Sequence, residues 1–282
     1  MIFASDLDRT LIYSKTSMGQ GINDEDLIPV ELYEDEYISF MSKQALSLLN
    51  DISQLATFIP VTTRTIEQYQ RVFHIVNTYT PKYAITSNGA NILFDGVPDV
   101  EWSAIVQTAL KTSATHNEVK ALFDEMSSPE WALRGRLCDG IFYVIIIERD
   151  KLPASIIENL RNKLSILGWT LSIQGRKLYM IPSGISKGAA LLHLKTRIGA
   201  SYIAASGDSL LDESMLLAAD FIFAPGHGEL FDTYRFSSVY RFTESAGIKA
   251  SEELLEGIKE AISMVSGTKA EKRRHYEKTN MV

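Results

Sequence analysis

The chain of 282 residues contains a single cysteine, Cys138, so no disulfide can form within it, and a reducing cytoplasm fits that usage. No apolar run is long enough to span a bilayer, and the N-terminus shows no basic segment followed by an apolar stretch and a cleavage site. An apolar strand already begins at Ile2, which leaves no room for a removable leader. Basic residues are outnumbered, with 28 Lys and Arg against 35 Asp and Glu and a net charge of −7. A general nucleic-acid binder needs clustered cations against phosphate, so neither nucleic acid nor membrane is expected as a partner. The Gly-x-Ser-x-Gly elbow, the Walker loop and the Gly-x-Gly-x-x-Gly turn are all missing, which removes the chemistries built on them. The histidines are scattered without metal-ligand spacing. Nothing in the sequence fixes an oligomeric state.

Against these absences stands an alternation of short apolar runs and amphipathic stretches. Ile2–Asp6, Thr57–Val61, Tyr83–Ser87, Tyr202–Ser206 and Phe221–Ala224 are continuous apolar runs bounded by small or turn residues, the pattern of strands covered on both faces. Helices are expected from Ser42 through Gln54, Thr65 through Val76, Ser186 through Ile198 and at Asp212–Ala219, with Ser42, Thr65 and Ser186 as N-caps. This alternation predicts an α/β core, a doubly wound, Rossmann-like parallel sheet with right-handed crossovers.

Two segments break the rhythm. Leu27–Tyr33 and Glu36–Met41 flank Glu34-Asp35 and predict a hairpin, with Pro29 confining its strand to an edge; the acidic run Asn23–Asp26 predicts an exposed loop. In residues 91–182 a helical stretch, Ser103–Met126, is interrupted near Thr115. Strands follow at Trp131–Leu137 and Ile141–Glu148, then a helix at Pro153–Leu167 and a hairpin of Trp169–Gln174 with Lys177–Ile181. Paired hairpins with helices predict a compact α+β unit inserted in the α/β domain. Residues 1–90 and 183–282 then form a catalytic core and 91–182 a cap. Beyond Tyr240-Arg241-Phe242 a helix is expected near 251–266, and then a basic polar tail, frayed by default, at 269–278.

Four strand-end and helix-start motifs carry the chemistry: Asp6-Leu7-Asp8-Arg9-Thr10, Pro60-Val61-Thr62-Thr63-Arg64, Ser186-Lys187-Gly188, and Gly207-Asp208 with Asp212. Ligands of open α/β sheets sit at the carboxyl ends of the strands. Asp6 offers a carboxylate for attack on phosphorus, giving an aspartyl-phosphate. Asp8 is placed to protonate the leaving oxygen and then to take a proton from water. Clustered carboxylates repel a phosphate dianion, so a cation must bridge them. Asp6, Asp8, Asp208 and Asp212 make an all-oxygen set suited to Mg²⁺. Thr62 is placed to hold phosphoryl oxygens, and Lys187, opening a helix, to offset the charge shared by Asp6 and the phosphate.

In this order the motifs resemble the haloacid dehalogenase superfamily, most closely its Cof-like, sugar-phosphatase branch, over nearly the whole chain. The resemblance implies a Mg²⁺-dependent phosphatase acting on a small phosphorylated metabolite such as a sugar phosphate. It implies Asp6 as nucleophile, Asp8 as acid/base and the Asp8 backbone carbonyl as a further metal ligand. It also makes the 27–41 hairpin a mobile flap and 91–182 the larger type of cap. Ser87-Asn88-Gly89-Ala90 resembles the branch's Asn-Gly-Ala segment at the cap hinge, where Asn88 either reaches phosphate or substrate or only shapes a turn. The sequence departs from the pattern three times. Arg9 and Thr63 each stand where glycine is usual, and Leu211 stands where an Asn commonly precedes the last Asp.

Thr63, Arg64, Asn88, Arg176, Lys177 and Tyr179 form the candidate substrate set, with Arg134 and Arg136 the close basic pair in the cap. Arg176, at a hairpin tip, is either solvated or grips a second anionic group or sugar hydroxyls. A hexose phosphate, a glycosyl-glycerate phosphate and a nucleotide all stay open as substrates. Two other readings compete. A phosphosugar mutase of the phosphomannomutase type needs a strong second phosphate site, for which Arg134 and Arg136 are the support. A non-catalytic binding protein that has kept the fold is opposed by the intact set of Asp6, Asp8, Lys187 and Asp208.

Overall fold

The computed structural model describes the backbone of residues 1–279, with side chains through 265. The basic tail expected at 269–278 lies outside the residues whose side chains are described. The buried tetrapeptide Ile2–Ser5 forms strand β1 and delivers Asp6 and Asp8 at its carboxyl end. An antiparallel hairpin follows, β2 (Leu27–Tyr33) with β3 (Glu36–Ser42), turning through positive φ at Glu34 and Asp35. Two left-handed residues at a hairpin tip match the twist of the flanking strands. Ser42 then caps α1 (Lys43–Leu55), its hydroxyl accepting from the Ala45 N–H, and β4 (Thr57–Pro60) returns beside β1.

Thr65 caps α2 (Ile66–Gln70) in a reciprocal box with Gln68. The helix expected through Val76 stops at Gln70. The Arg71 carbonyl accepts from the Leu32 N–H of the hairpin instead of continuing the helix, and the chain resumes as a π-helical turn at Ile75–Tyr79. Strand β5 (Tyr83–Thr86) joins the sheet beside β4 through the parallel Val61–Ile85 bridge, then folds back into β6 (Asn91–Phe94) and β7 (Val97–Pro98). Helix α3 (Val100–Leu110) comes next.

The second unit follows: α4 (His116–Met126), β8 (Ala132–Cys138), β9 (Phe142–Ile147), α5 (Ala154–Ile166), β10 (Trp169–Gln174) and β11 (Lys177–Pro182). Its strands form an antiparallel sheet in the order β10-β11-β9-β8. Thr115 is the N-cap of α4, which places the helix break where it is expected. The chain returns through α6 (Lys187–Ile198), β12 (Ile203–Ser206), α7 (Glu213–Leu216), β13 (Phe221–Ala224), α8 (Glu229–Tyr234), β14 (Arg241–Phe242) and α9 (Ile248–Thr279). The central sheet runs β14-β13-β12-β1-β4, every neighbour parallel.

Alternation along β1 divides the core. Phe3 packs with Leu49, Ile52, Leu254 and Ile258 on the α1/α9 side. Ile2 and Ala4 pack with Ile59, Leu191 and Leu194 on the α6 side. Trp102 and Val106 of α3 belong to this same α6-side cluster, and the Trp102 indole donates to the Gly89 carbonyl at 2.9 Å. Residues 91–110 therefore pack as part of the α/β layers. A separate apolar cluster of Val119, Phe123, Leu160, Leu164, Trp169 and Met180 holds the second unit. Apolar contacts thus place the change of unit after α3 rather than at residue 91. Among the described residues no helix is long and apolar enough to cross a membrane.

The turn after β5 couples two active-end segments. Ser87, Asn88 and Gly89 all have positive φ, and a Cβ on Gly89 would lie 2.2 Å from the Ser186 carbonyl oxygen. Only glycine lets this turn touch the start of α6. Gly89→Ala is expected to destabilise the fold by at least about 2 kcal/mol, from backbone strain and the clash together. Thermal and urea unfolding measure it, and an unchanged midpoint would show that the contact is not required.

Candidate active site

Asp6 follows β1, and Asp208 and Asp212 follow β12, so neighbouring parallel strands bring three acids together. One carboxylate oxygen from each of Asp6, Asp208 and Asp212 lies within 4.8 Å of the others, and all three residues are buried. The fully buried Lys187 ammonium, on the first turn of α6, donates to Asp6 Oδ1 at 2.7 Å and to Asp212 Oδ1 at 2.5 Å. The other Asp212 oxygen accepts from the Ser209 N–H at 3.0 Å and the Ser209 hydroxyl at 2.8 Å. Asp212 therefore works as the anchor of Lys187 and of the loop behind it.

Burial pushes the Asp6 carboxyl up, Lys187 pulls it down, and Asp212 and Asp8 push it up again, to about 7. Burial, then Asp212 and Asp6, drive Asp208 well above the carboxylate range. Burial disfavours the Lys187 charge, but Asp212 and Asp6 outweigh it and hold the ammonium protonated. The donor set fits Mg²⁺. It is all oxygen, its carboxylates repel one another, and among the described residues the Asp208 carboxylate accepts no hydrogen bond. The nearest side-chain cation to Asp208 is Arg9, Nε to Oδ2 3.8 Å. Arg9 sits at φ 61, the left-handed conformation that explains why glycine is usual there.

The Asp8 carboxylate, expected among the metal ligands, turns instead to Arg64. The guanidinium grips it through Nε to Oδ2 at 2.7 Å and the second fork nitrogen to Oδ1 at 2.8 Å. The rest of that guanidinium is held by Glu31 of β2, at 2.6 and 2.9 Å. Glu31 is buried and also accepts from the Ser39 hydroxyl at 2.6 Å. Burial raises the Asp8 carboxyl, but Arg64 outweighs it and holds Asp8 down at about 2. Arg64, expected to bind substrate, is thus engaged by two carboxylates. Sequence reasoning passed over Glu31. The signal was one charged residue inside the apolar strand Leu-Ile-Pro-Val-Glu-Leu-Tyr.

Thr62 is fully buried at the end of β4, its oxygen accepting from the Arg64 N–H at 3.1 Å, which leaves its hydroxyl proton free to donate. Asn88 is buried in the left-handed turn with Oδ1 unpartnered. The second unit covers this end of the sheet. Tyr179 is buried with its hydroxyl hydrogen-bonded by Thr63, and Leu211 packs against Cys138, Phe142, Tyr179 and Ile181. Two of the three departures therefore contact the cap, and the third reaches Asp208. Asp139, at the β8–β9 tip, accepts from the Ser87 hydroxyl, from Asn91 Nδ2 at 3.1 Å and from the Ile66 N–H at 3.3 Å.

Between the hairpin, the α2 end and the cap sheet lies a cavity of about 540 Å³ reaching Asp8 and lined by Thr63, Arg134, Arg136, Lys177 and Tyr179 among others. Arg176 is not part of it. At the hairpin tip its side chain is 69% exposed and lies 3.8 Å from Glu148. A further cavity of about 410 Å³, around Met1, Thr57 and Tyr79, has no carboxylate in its lining.

The family model described as sucrose-6F-phosphate phosphohydrolase matches residues 1–263. No curated protein sequence matches significantly. Among solved structures, the sucrose-phosphatase of Synechocystis sp. PCC6803, in complex with sucrose and phosphate, is similar at 16% identity and TM-score 0.64, covering 94% of this chain and 97% of its own. The subclass IIB sugar phosphatase BT4131 is similar at 12% identity and TM-score 0.60, covering 93% and 99%. BT1666 from Bacteroides thetaiotaomicron gives 14% identity and TM-score 0.55, covering 92% and 94%. At these identities the structural likeness speaks for the fold.

The Arg64–Asp8 pair makes a testable pH dependence. Asp8 titrates lower in the fold than in the unfolded chain, so its pairing stabilises the fold above the unfolded value and stops doing so as pH falls through about 2. Wild type should exceed Asp8→Asn in Tm near neutrality, and the gap should close as pH falls from about 5 toward about 2. A gap that stays constant through that range would show that the pair does not form.

Proposed function

This chain belongs to the sucrose-6F-phosphate phosphohydrolase family, within the haloacid dehalogenase superfamily, and from that premise we propose how it works. It is a phosphatase of a phosphorylated substrate. The substrate we propose is a sugar phosphate, cleaved through a covalent intermediate on Asp6 with Mg²⁺ as cofactor. The observation that carries this reading is the buried Asp6–Lys187–Asp212 chain beside Asp208 at the carboxyl ends of β1 and β12.

Asp6 and Asp208 are the residues to hold the cation, which supplies the positive charge that lets a phosphate dianion approach the acids. Lys187 keeps its proton and shares its charge between Asp6 and a phosphoryl oxygen. The Thr62 hydroxyl donates to another. Asp6 attacks phosphorus, the leaving oxygen departs with a proton, and water then cleaves the acyl-phosphate and regenerates Asp6. Arg64 holds Asp8 ionised, so the clamp as it stands sets Asp8 to accept the proton of the attacking water. Donation to the leaving oxygen requires Asp8 to gain a proton and loosen from Arg64. Glu31 is the positioning residue of this clamp. The unit from α4 to β11, over Asp8, selects the leaving group.

The test is release of inorganic phosphate from p-nitrophenyl phosphate and from a panel of sugar phosphates, with Mg²⁺ and with chelator. We expect activity that chelator abolishes and Mg²⁺ restores. Asp6→Asn should keep the fold and lower kcat at least about a thousandfold, since a reacting group is gone. Full activity in chelator refutes the metal, a trapped phosphoryl group on another residue refutes Asp6, and an isomerised sugar phosphate in place of inorganic phosphate favours the mutase.

A further inference from the structure

We propose that the leaving group carries a second anionic group, a carboxylate or another phosphate, held by Arg134, Arg136 and Lys177 of the cap. The inference rests on the phosphatase reading above and names its substrate class.

Strand pairing builds the receiving face. Arg134 of β8 pairs with Ile146 of β9, which pairs with Lys177 of β11; Arg136 pairs with Val144, which pairs with Tyr179. Directly paired residues project to one side of a sheet, so the three cations share a face with Tyr179. The other face sends Tyr143, Ile145, Leu178 and Met180 into the cap's apolar cluster. A slip of one residue would bury the cations and expose that cluster, so the sequence pattern pins the basic face toward the cleft.

Charge along the cavity does not balance. Five cationic side chains, Arg64, Arg71, Arg134, Arg136 and Lys177, line it against two carboxylates, Asp8 and Glu31. Both carboxylates are engaged by Arg64, and Arg71 approaches Glu31 at 3.8 Å. Among the described residues no carboxylate comes within ion-pair distance of Arg134, Arg136 or Lys177. Arginines on a convex strand are simply solvated, but several on one concave face repel each other and concentrate anions. Gln174, paired with Lys177 on the same face, keeps its Nε2 buried without a partner, but it is not part of the cavity lining.

The position assigns the anion to the leaving group. Lys177 interacts electrostatically with Asp8, whereas the phosphoryl-binding donors Lys187 and Thr62 are not part of the cavity wall. A neutral leaving group, such as the sucrose bound by the Synechocystis relative, brings no counter-charge to these side chains.

The experiment measures kcat/KM for phosphate release by the full chain with Mg²⁺ on two pairs of probes. Glucose 6-phosphate against 6-phosphogluconate tests a carboxylate, and fructose 6-phosphate against fructose 1,6-bisphosphate tests a second phosphate. In at least one pair the anionic member should exceed its neutral twin by about tenfold or more. The Arg134→Gln/Arg136→Gln variant, and separately Lys177→Gln, should lower that preference to about threefold or less, as should rising salt. Equal or better turnover of the neutral member in both pairs, or a preference that survives both variants, overturns the inference while p-nitrophenyl phosphate is still hydrolysed. No phosphate release from any probe, p-nitrophenyl phosphate included, overturns the phosphatase reading and this inference with it.

Discussion

Three carboxylates and one ammonium share the buried end of the parallel sheet, and their charges do not cancel. Removing one partner of a buried pair leaves an uncompensated charge, which typically destabilises by about 3–5 kcal/mol. Lys187 is therefore fixed by Asp6 and Asp212, and Asp212 in turn by Ser209. The Asp208 carboxylate has no such donor, and burial, then Asp212 and Asp6, push its carboxyl up. The crowding of these acids, which lifts the Asp6 and Asp208 carboxyls, is charge that a bound cation would relieve. Much of the local architecture serves that arrangement: the Ser186 cap that starts α6 at Lys187, the glycine contact at Gly89, and the parallel register that sets Ser5 beside Ser206.

A second electrostatic chain runs outward from Asp8. Arg64 bridges Asp8 to Glu31, and Glu31 ties that bridge to the hairpin through Ser39. The hairpin is also bonded to the α2 end through Leu32 and Arg71, with the Arg71 guanidinium over the Tyr33 ring at 4.4 Å. The segment expected to behave as a mobile flap lines one side of the cavity, and its buried Glu31 holds the Arg64 guanidinium that lowers Asp8. A charge pair buried at one end and half-exposed at the other is well suited to this task. The Glu31 side chain is 1% exposed and the Asp8 side chain 49%.

Fold and acids were legible in the sequence for one physical reason. A strand buried on both faces must be a continuous apolar run, and the run must end where polar groups resume. Ile2–Ser5 and Ile203–Ser206 announce themselves this way and leave Asp6 and Asp208 at their ends. Caps were legible too, since Ser42, Thr65 and Ser186 each precede an amphipathic stretch. What could not be read depends on contacts between distant segments. The α2 break comes from a hairpin amide, the role of Glu31 from an arginine 33 positions away, and the start of the inserted unit from Trp102 packing under Gly89. Arg176 and Lys177 are neighbours in sequence and both exposed, yet only Lys177 lines the cavity. Sequence can name such pairs, but only the sheet register separates them.

Two of the three departures from the superfamily pattern share a place in the structure, and the third stands apart. Arg9 brings a cation toward Asp208, Thr63 meets the Tyr179 hydroxyl, and Leu211 packs under the cap. Glycine at 9 or 63, or Asn at 211, would lack these side-chain contacts. With Asp139, Thr63 and Leu211 join cap to core, while the Arg9 contact stays within the core. Water can replace polar bonds at a net cost of about 1 kcal/mol each. The cap's own cluster, with Trp169, Phe123 and Leu164 fully enclosed, is far more expensive to open. Thr63 and Leu211, two of the side chains that depart from the superfamily pattern, sit where the cap meets the core.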